Sequence, residues 1–189
     1  MTSKALRIAL LVATIAHSAC SGDGTGSDGE AGGRAVPAKA WAAKVCGATA
    51  HWIGEIERLN AGLQKQLDGT SLDALRDSTV AYFDDILAST DRMIERVEAA
   101  GVPEVEGGRN ASRHVLSGLQ AALQALRDAR ERAAALATTD PDAFSEALRQ
   151  IGEEVATSLS YVGASLASFR SPELDAVAQE VRRCRELAA

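Results

Sequence analysis

Few residues in this chain have side chains suited to covalent or metal chemistry, and the cysteines are the most informative of them. The sequence contains three, Cys20, Cys46 and Cys184. Cys20 closes an N-terminal segment that predicts export, and the other two lie far apart, without the close spacing of metal ligands. Because leftover cysteine pairs in exported chains usually form disulfides, we predict a bridge between Cys46 and Cys184. It would close a loop of about 139 residues, worth about 5 kcal/mol in the chain-entropy model.

The histidines and carboxylates form no recognisable catalytic or metal-binding pattern. His51 and His114 fit neither His-Glu-x-x-His nor the Glu-x-x-His pattern of di-iron helical bundles. His51 and Glu55 are four residues apart, so on a helix they could share a proton or hold a metal weakly, although we favour an ordinary surface contact. The adjacent carboxylates 84–85 and 153–154 would point about 100° apart on a helix, which does not suit an acid–base pair. We therefore predict a protein that is not an enzyme and has no catalytic residue, no metal site and no cofactor.

Four aromatic residues are candidates for a ligand-facing role: Trp41, Trp52, Phe83 and Phe169. Their positions fall on the apolar faces of predicted helices, where they could line a cavity between helices. Ordinary packing in the core is the interpretation we favour for the two tryptophans. If these aromatic residues instead face a ligand, the protein would be a carrier of a small hydrophobic ligand or lipid, and this alternative stays open.

Helices must position these side chains, because apolar residues recur at intervals of three and four along the chain. Helix starts and stops are predicted at Pro37, about Leu67, Thr70 or Ser71, Gly101, about Arg109, Asp140-Pro141 and Ser171-Pro172. No stretch alternates with a period of two, so we expect no sheet. The prediction is an all-α fold, an antiparallel up-down bundle of four long helices plus a short C-terminal helix. In such a bundle Cys46 and Cys184 come to nearly the same height, which agrees with the predicted bridge.

A second pattern on the first helix is a stripe of small residues that includes Gly47 and Gly54. A glycine inside a helix costs about 1 kcal/mol relative to alanine. Two of them on one stripe therefore lead us to expect that a neighbouring helix approaches closely there.

The N-terminal segment has the organisation of an export signal. Lys4 and Arg7 precede a nine-residue apolar run, residues 8–16, which is too short to span a bilayer. The segment resembles bacterial lipoprotein signal peptides, in which a cysteine follows the cleavage site and receives the lipid. Ser18-Ala19-Cys20 fits that pattern, whereas His17 departs from the usual aliphatic residue. The resemblance implies a signal peptide at residues 1–19, lipidation of Cys20, and an exported protein anchored at the cell membrane and facing outward.

Glycine, serine and aspartate dominate the residues after the signal, so residues 20–36 are predicted to be a flexible tether that begins at the lipidated cysteine. Residues 37–189 are predicted to be the helical domain. The chain carries a net charge of −6, and removal of the two cations Lys4 and Arg7 with the signal makes it −8. An acidic balance argues against a nucleic-acid partner and against a polybasic contact with anionic lipid. Membrane attachment is therefore expected through Cys20.

The domain resembles the small exported proteins and lipoproteins of actinobacteria that are built as cysteine-stapled helical bundles. Two stretches carry the resemblance, AWAAKVCGATAHWIGEIERLNAGLQKQL near the start of the domain and SFRSPELDAVAQEVRRCRELAA at its end. It implies the fold and the bridge, and brings no established activity with it. We expect a lipid-anchored cell-envelope protein with a non-catalytic binding or structural role and an unidentified envelope protein or ligand as partner. The alternative is the hydrophobic-ligand carrier.

Overall fold

The computed structural model describes residues 33–66, 71–168 and 171–188 of the chain. The fold is all-α, as predicted. Its helices are α1 (Ala38–Gln66), α2 (Leu72–Glu98), α3 (Gly108–Ala134), α4 (Pro141–Ser168), α5 (Pro172–Glu180) and α6 (Arg182–Ala188). The predictions for residues 1–32, including the signal peptide and Cys20, and for Phe169 lie outside the described residues.

Side-chain caps set the helix starts that the sequence predicts. The Ser71 hydroxyl accepts a hydrogen bond from the backbone N–H three residues further on, at the start of α2. Asp140 accepts two such bonds at the start of α4. Ser171 caps α5, and Pro172 occupies the first turn, where its missing N–H costs nothing.

Sequential helices pack against each other, and α5 and α6 return to α1. The helix pairs in extensive contact are α1–α2, α2–α3, α3–α4, α1–α5, α1–α6 and α5–α6. Helices α1 and α2 run antiparallel, since Glu55 meets Ser89 while Asn60, further along α1, meets Tyr82, further back on α2. The pair α1–α4 is not among those in extensive contact, so α4 is supported mainly by α3.

One expectation about secondary structure is wrong, because a short sheet is present. Strands β1 (Ala35–Val36) and β2 (Val102–Pro103) form a two-stranded parallel ladder. The N–H of Val102 donates to the carbonyl of Arg34 at 2.9 Å, and the N–H of Glu104 donates to that of Val36 at 2.8 Å. Two residues per strand are too few for an alternating pattern to show in the sequence.

The same ladder moves the domain boundary. Residues 35–36, assigned above to the flexible tether, are part of the folded unit, which begins near Gly33. Gly101 makes the close approach possible, because its φ is +84° and a Cβ there would lie 2.4 Å from the carbonyl oxygen of Arg34. Val36 then packs against the apolar residues around Trp41. Composition alone did not reveal this, since the strand that pairs with residues 35–36 is distant in sequence.

Two further expectations need correction. The predicted single C-terminal helix is divided into α5 and α6 at Val181, whose backbone is extended. The small-residue stripe on α1 does not face a neighbouring helix, because a Cβ added at Gly47 or Gly54 would meet nothing within 4 Å.

The buried apolar residues form three clusters, which we name after one member each. The Trp41 cluster comprises Trp41, Ala42, Ala100, Ala111, Val181 and Cys184. The Met93 cluster comprises Ala48, Met93, Val97 and Leu119. The Phe83 cluster comprises Phe83, Ile86, Leu126, Ala129, Ala133 and Ile151. The first joins α5 and α6 to α1 and to the α2–α3 connection, and the last joins α2, α3 and α4.

Candidate functional site

The predicted disulfide is present between Cys46 on α1 and Cys184 on α6. The two Cα atoms are 5.1 Å apart, within the range that a bridge requires. Cys184 is buried, whereas Cys46 is only partly buried. The bridge therefore fastens the C-terminal helices to the first half of α1.

Trp41 lies beside this bridge, in the cluster that α5 and α6 complete. The residue is 7% exposed, and its indole N–H is buried without a hydrogen-bond partner among the described residues. Leaving a buried donor unpaired costs about 1–3 kcal/mol. The packing of α5 and α6 over this ring thus includes an unfavourable contribution that other contacts must offset.

The candidate ligand-facing aromatics do not come together. Trp41 and Phe83 are buried in different clusters, and Trp52 packs against the Met93 cluster. The Trp52 indole N–H donates to the hydroxyl of Thr90 at 3.1 Å, so its polar atom is occupied within the fold. These three side chains hold helices together and do not line a common cavity, while Phe169 lies outside the described residues.

A polar cluster bridges α1 and α2 beside Trp52. Its centre is Glu55, which accepts a hydrogen bond from the hydroxyl of Ser89 and lies 3.4 Å from a guanidinium nitrogen of Arg92. The imidazole Nε2 of His51 is 3.5 Å from Oε1 of Glu55, the carboxylate oxygen that does not accept from Ser89. Ser89 is 2% exposed, and the Glu55 side chain is 17% exposed. The cluster therefore reaches from the helix interface to the surface.

Hydrogen bonding and charge both favour the ionised form of Glu55. Its pKa is lowered from the usual range chiefly by the Ser89 hydrogen bond, with further lowering from Arg92 and His51 that opposes the raising effect of burial. A carboxylate held in this way is a weak proton acceptor. The order of the groups also differs from a catalytic relay, because the carboxylate lies between the serine and the histidine, whereas an activated serine contacts the histidine directly.

Sequence reasoning found the His51–Glu55 pair but missed its partners Ser89 and Arg92. The expected surface contact between His51 and Glu55 is present, with the His51 side chain about half exposed, and Glu55 in addition bonds across to α2 through Ser89 and Arg92. A signal was available, because Ser89 and Thr90 are polar residues within the apolar stripe of α2. Such residues usually have a hydrogen-bond partner on the neighbouring helix.

A shallow depression of about 460 Å³ lies on α4. It is lined by Gln150, Glu153, Glu154, Thr157 and Ser158. Arg149 forms ion pairs with Glu146 and Glu153 nearby, and hydrogen bonds from Arg149 and Gln150 lower the pKa of Glu146 to about 2. This surface is polar and open to solvent, which does not suit an apolar ligand.

Within the described ranges, no group of three or more His, Cys, Asp or Glu side chains is arranged to hold a metal ion. No helix in those ranges is long and apolar enough to cross a membrane. Comparison of the chain with protein-family models, curated proteins and solved structures finds no match.

Proposed function

We propose that this protein is a lipid-anchored component of the cell envelope with a non-catalytic role in binding or in structure. The observation that carries the proposal is the Cys46–Cys184 disulfide, because such bridges form and persist in oxidising compartments outside the cytosol. The apolar run at residues 8–16 followed by Cys20 supports export and lipidation. We also propose that the protein is related to the actinobacterial lipoproteins with cysteine-stapled helical bundles that it resembles.

The polar cluster at Glu55 supports a structural role. Its members hold two helices together, the carboxylate is a weak base, and Ser89 is buried. The predicted hydrophobic-ligand carrier gains no support from the three described aromatics, because they lie in separate parts of the core. It stays a prediction.

Intact mass spectrometry of the protein from its native membranes tests the proposal. We expect a diacyl or triacyl mass on a chain that begins at Cys20, with Cys46 and Cys184 alkylated only after reduction. The matched variants are Cys20→Ala, which should move to the soluble fraction, and Cys46→Ala, which should stay with the membrane. An unlipidated chain, or a Cys20→Ala protein that still sediments with membranes, would contradict the anchor.

A further inference from the structure

The C-terminal helix pair α5–α6 has few buried residues of its own. No residue of α5 is buried, and Cys184 is the buried residue of α6. Val181, between the two helices, is also buried, while Leu174 and Val177 are partly buried. A segment of this length with so little buried apolar surface gains little free energy from docking.

The contacts of α5–α6 are concentrated on one helix. The long helix that both of them contact extensively is α1, and their apolar residues enter the Trp41 cluster. An ion pair between Lys39 and Glu180 joins the surfaces at 2.9 Å, but both side chains are more than 60% exposed. Exposed pairs of this kind contribute little to stability.

The disulfide is therefore the main interaction that holds α5 and α6 against α1. Its Cys184 end is buried in the Trp41 cluster, and its Cys46 end is partly buried on α1. The ring of Trp41 lies in the same cluster, with an indole N–H that has no partner in the described part of the chain. Val181 and Cys184 pack in the cluster that contains this buried ring, so we expect undocking of the helix pair to give the unpaired N–H access to water.

We propose that α5–α6 is a disulfide-held cover over Trp41, and that a dithiol reductant opens it by reducing the Cys46–Cys184 bridge. The covered surface consists of Trp41, Ala42, Ala100 and Ala111, against which Val181 and Cys184 pack in the closed state. The four long helices keep their own Met93 and Phe83 clusters and remain folded. The cover does not depend on the lipid anchor at Cys20.

Reduction proceeds by two thiol–disulfide exchanges. A thiolate of the dithiol attacks the sulfur of Cys46, the more exposed of the two residues, and the Cys46–Cys184 bond breaks. Cys184 leaves as a thiolate and takes up a proton. The second thiol of the reductant then displaces Cys46, so two electrons and two protons pass to the protein and the dithiol becomes a disulfide.

Hydrogen exchange measured by mass spectrometry tests the cover on the full chain, before and after reduction with dithiothreitol. We expect the amides of residues 172–188 to exchange at least about tenfold faster after reduction, while those around Phe83 and Leu126 keep their protection. In a Trp52→Phe background Trp41 is the single tryptophan, and its emission should shift to longer wavelength on reduction.

Two variants complete the test. The double variant Cys46→Ser with Cys184→Ser should show the fast exchange of residues 172–188 without any reductant. Lys39→Ala, which removes the exposed ion pair but keeps the bridge, should leave that exchange within about twofold of the wild type. Unchanged protection of residues 172–188 in a fully reduced chain would overturn the proposal. Loss of protection through α2 and α3 at the same time would also overturn it, since the bridge would then support the whole fold.

Discussion

The hydroxyl of Ser89 on α2 donates a hydrogen bond to the carboxylate of Glu55 on α1, and this bond is the centre of the polar cluster between the two helices. Ser89 is 2% exposed, so its hydroxyl depends on a partner within the fold. Arg92 and His51 surround the same carboxylate. The arrangement therefore contributes to the pairing of α1 with α2.

Replacement of Glu55 should weaken that pairing. Glu55→Ala is expected to lower the free energy of unfolding by about 1–2 kcal/mol, because it leaves the Ser89 hydroxyl without its acceptor. Glu55→Gln keeps an acceptor oxygen and should lose less. Urea denaturation followed by circular dichroism measures both. Equal stability of the alanine variant and the wild type would show that Ser89 finds another acceptor.

The Glu55 contribution should also depend on pH. Because the folded pKa of Glu55 lies below the ordinary glutamate value of about 4.5, the contribution is fully present above that value and is lost as the pH falls through the lowered pKa. Wild type should therefore lose more stability than Glu55→Gln between about pH 6 and about pH 3. Denaturant midpoints measured across this range check the difference. Parallel loss in the two proteins would contradict the assignment.

The Trp52–Thr90 hydrogen bond predicts an energetic coupling across the same interface. Thr90 is fully buried and accepts from the indole N–H at 3.1 Å, while its own hydroxyl donates to the carbonyl of Ile86 at 2.9 Å. A double-mutant cycle with Trp52→Phe and Thr90→Val should give a coupling of about 0.5–1.5 kcal/mol. Thermal or urea unfolding of the four proteins measures it. Additive effects would mean that the bond contributes nothing specific.

Two helical glycines should respond in opposite directions to alanine. Gly54→Ala is expected to raise stability by about 0.5–1 kcal/mol, because its Cβ meets nothing within 4 Å and alanine favours the helix. At Gly108 a Cβ would lie 2.0 Å from the carbonyl oxygen of Pro103, so Gly108→Ala should lower stability by about 1–3 kcal/mol. Unfolding midpoints of the two variants form a matched comparison, and a change of the same sign in both would contradict the packing.

The attachment of α4 predicts a large effect of one aromatic residue. Phe144 is 1% exposed near the start of α4, so Phe144→Ala should cost about 3–5 kcal/mol through lost burial and a residual cavity. Leu148, one turn later, is only half-buried, and Leu148→Ala should cost less. Calorimetry of both variants checks the order. Equal losses would indicate that α4 is held elsewhere along its length.

Local signals in the sequence predicted the helices and their starts. Ser71, Asp140 and Ser171 act as caps, because a cap depends on groups only two or three residues away. The spacing of apolar residues likewise predicted the inward faces. The pairing of Cys46 with Cys184 followed from cysteine number and the expected export, which leave few alternatives.

Only the tertiary structure decided which faces meet and which polar groups pair across them. It placed Gly47 and Gly54 away from any neighbour, paired β1 with β2, and separated Trp41, Trp52 and Phe83 into different parts of the core. It also joined Glu55 to Ser89, 34 residues away. These outcomes depend on the relative orientation in which whole helices pack against one another. Because that choice is made by the combined packing of residues distant in sequence, no local pattern contains it.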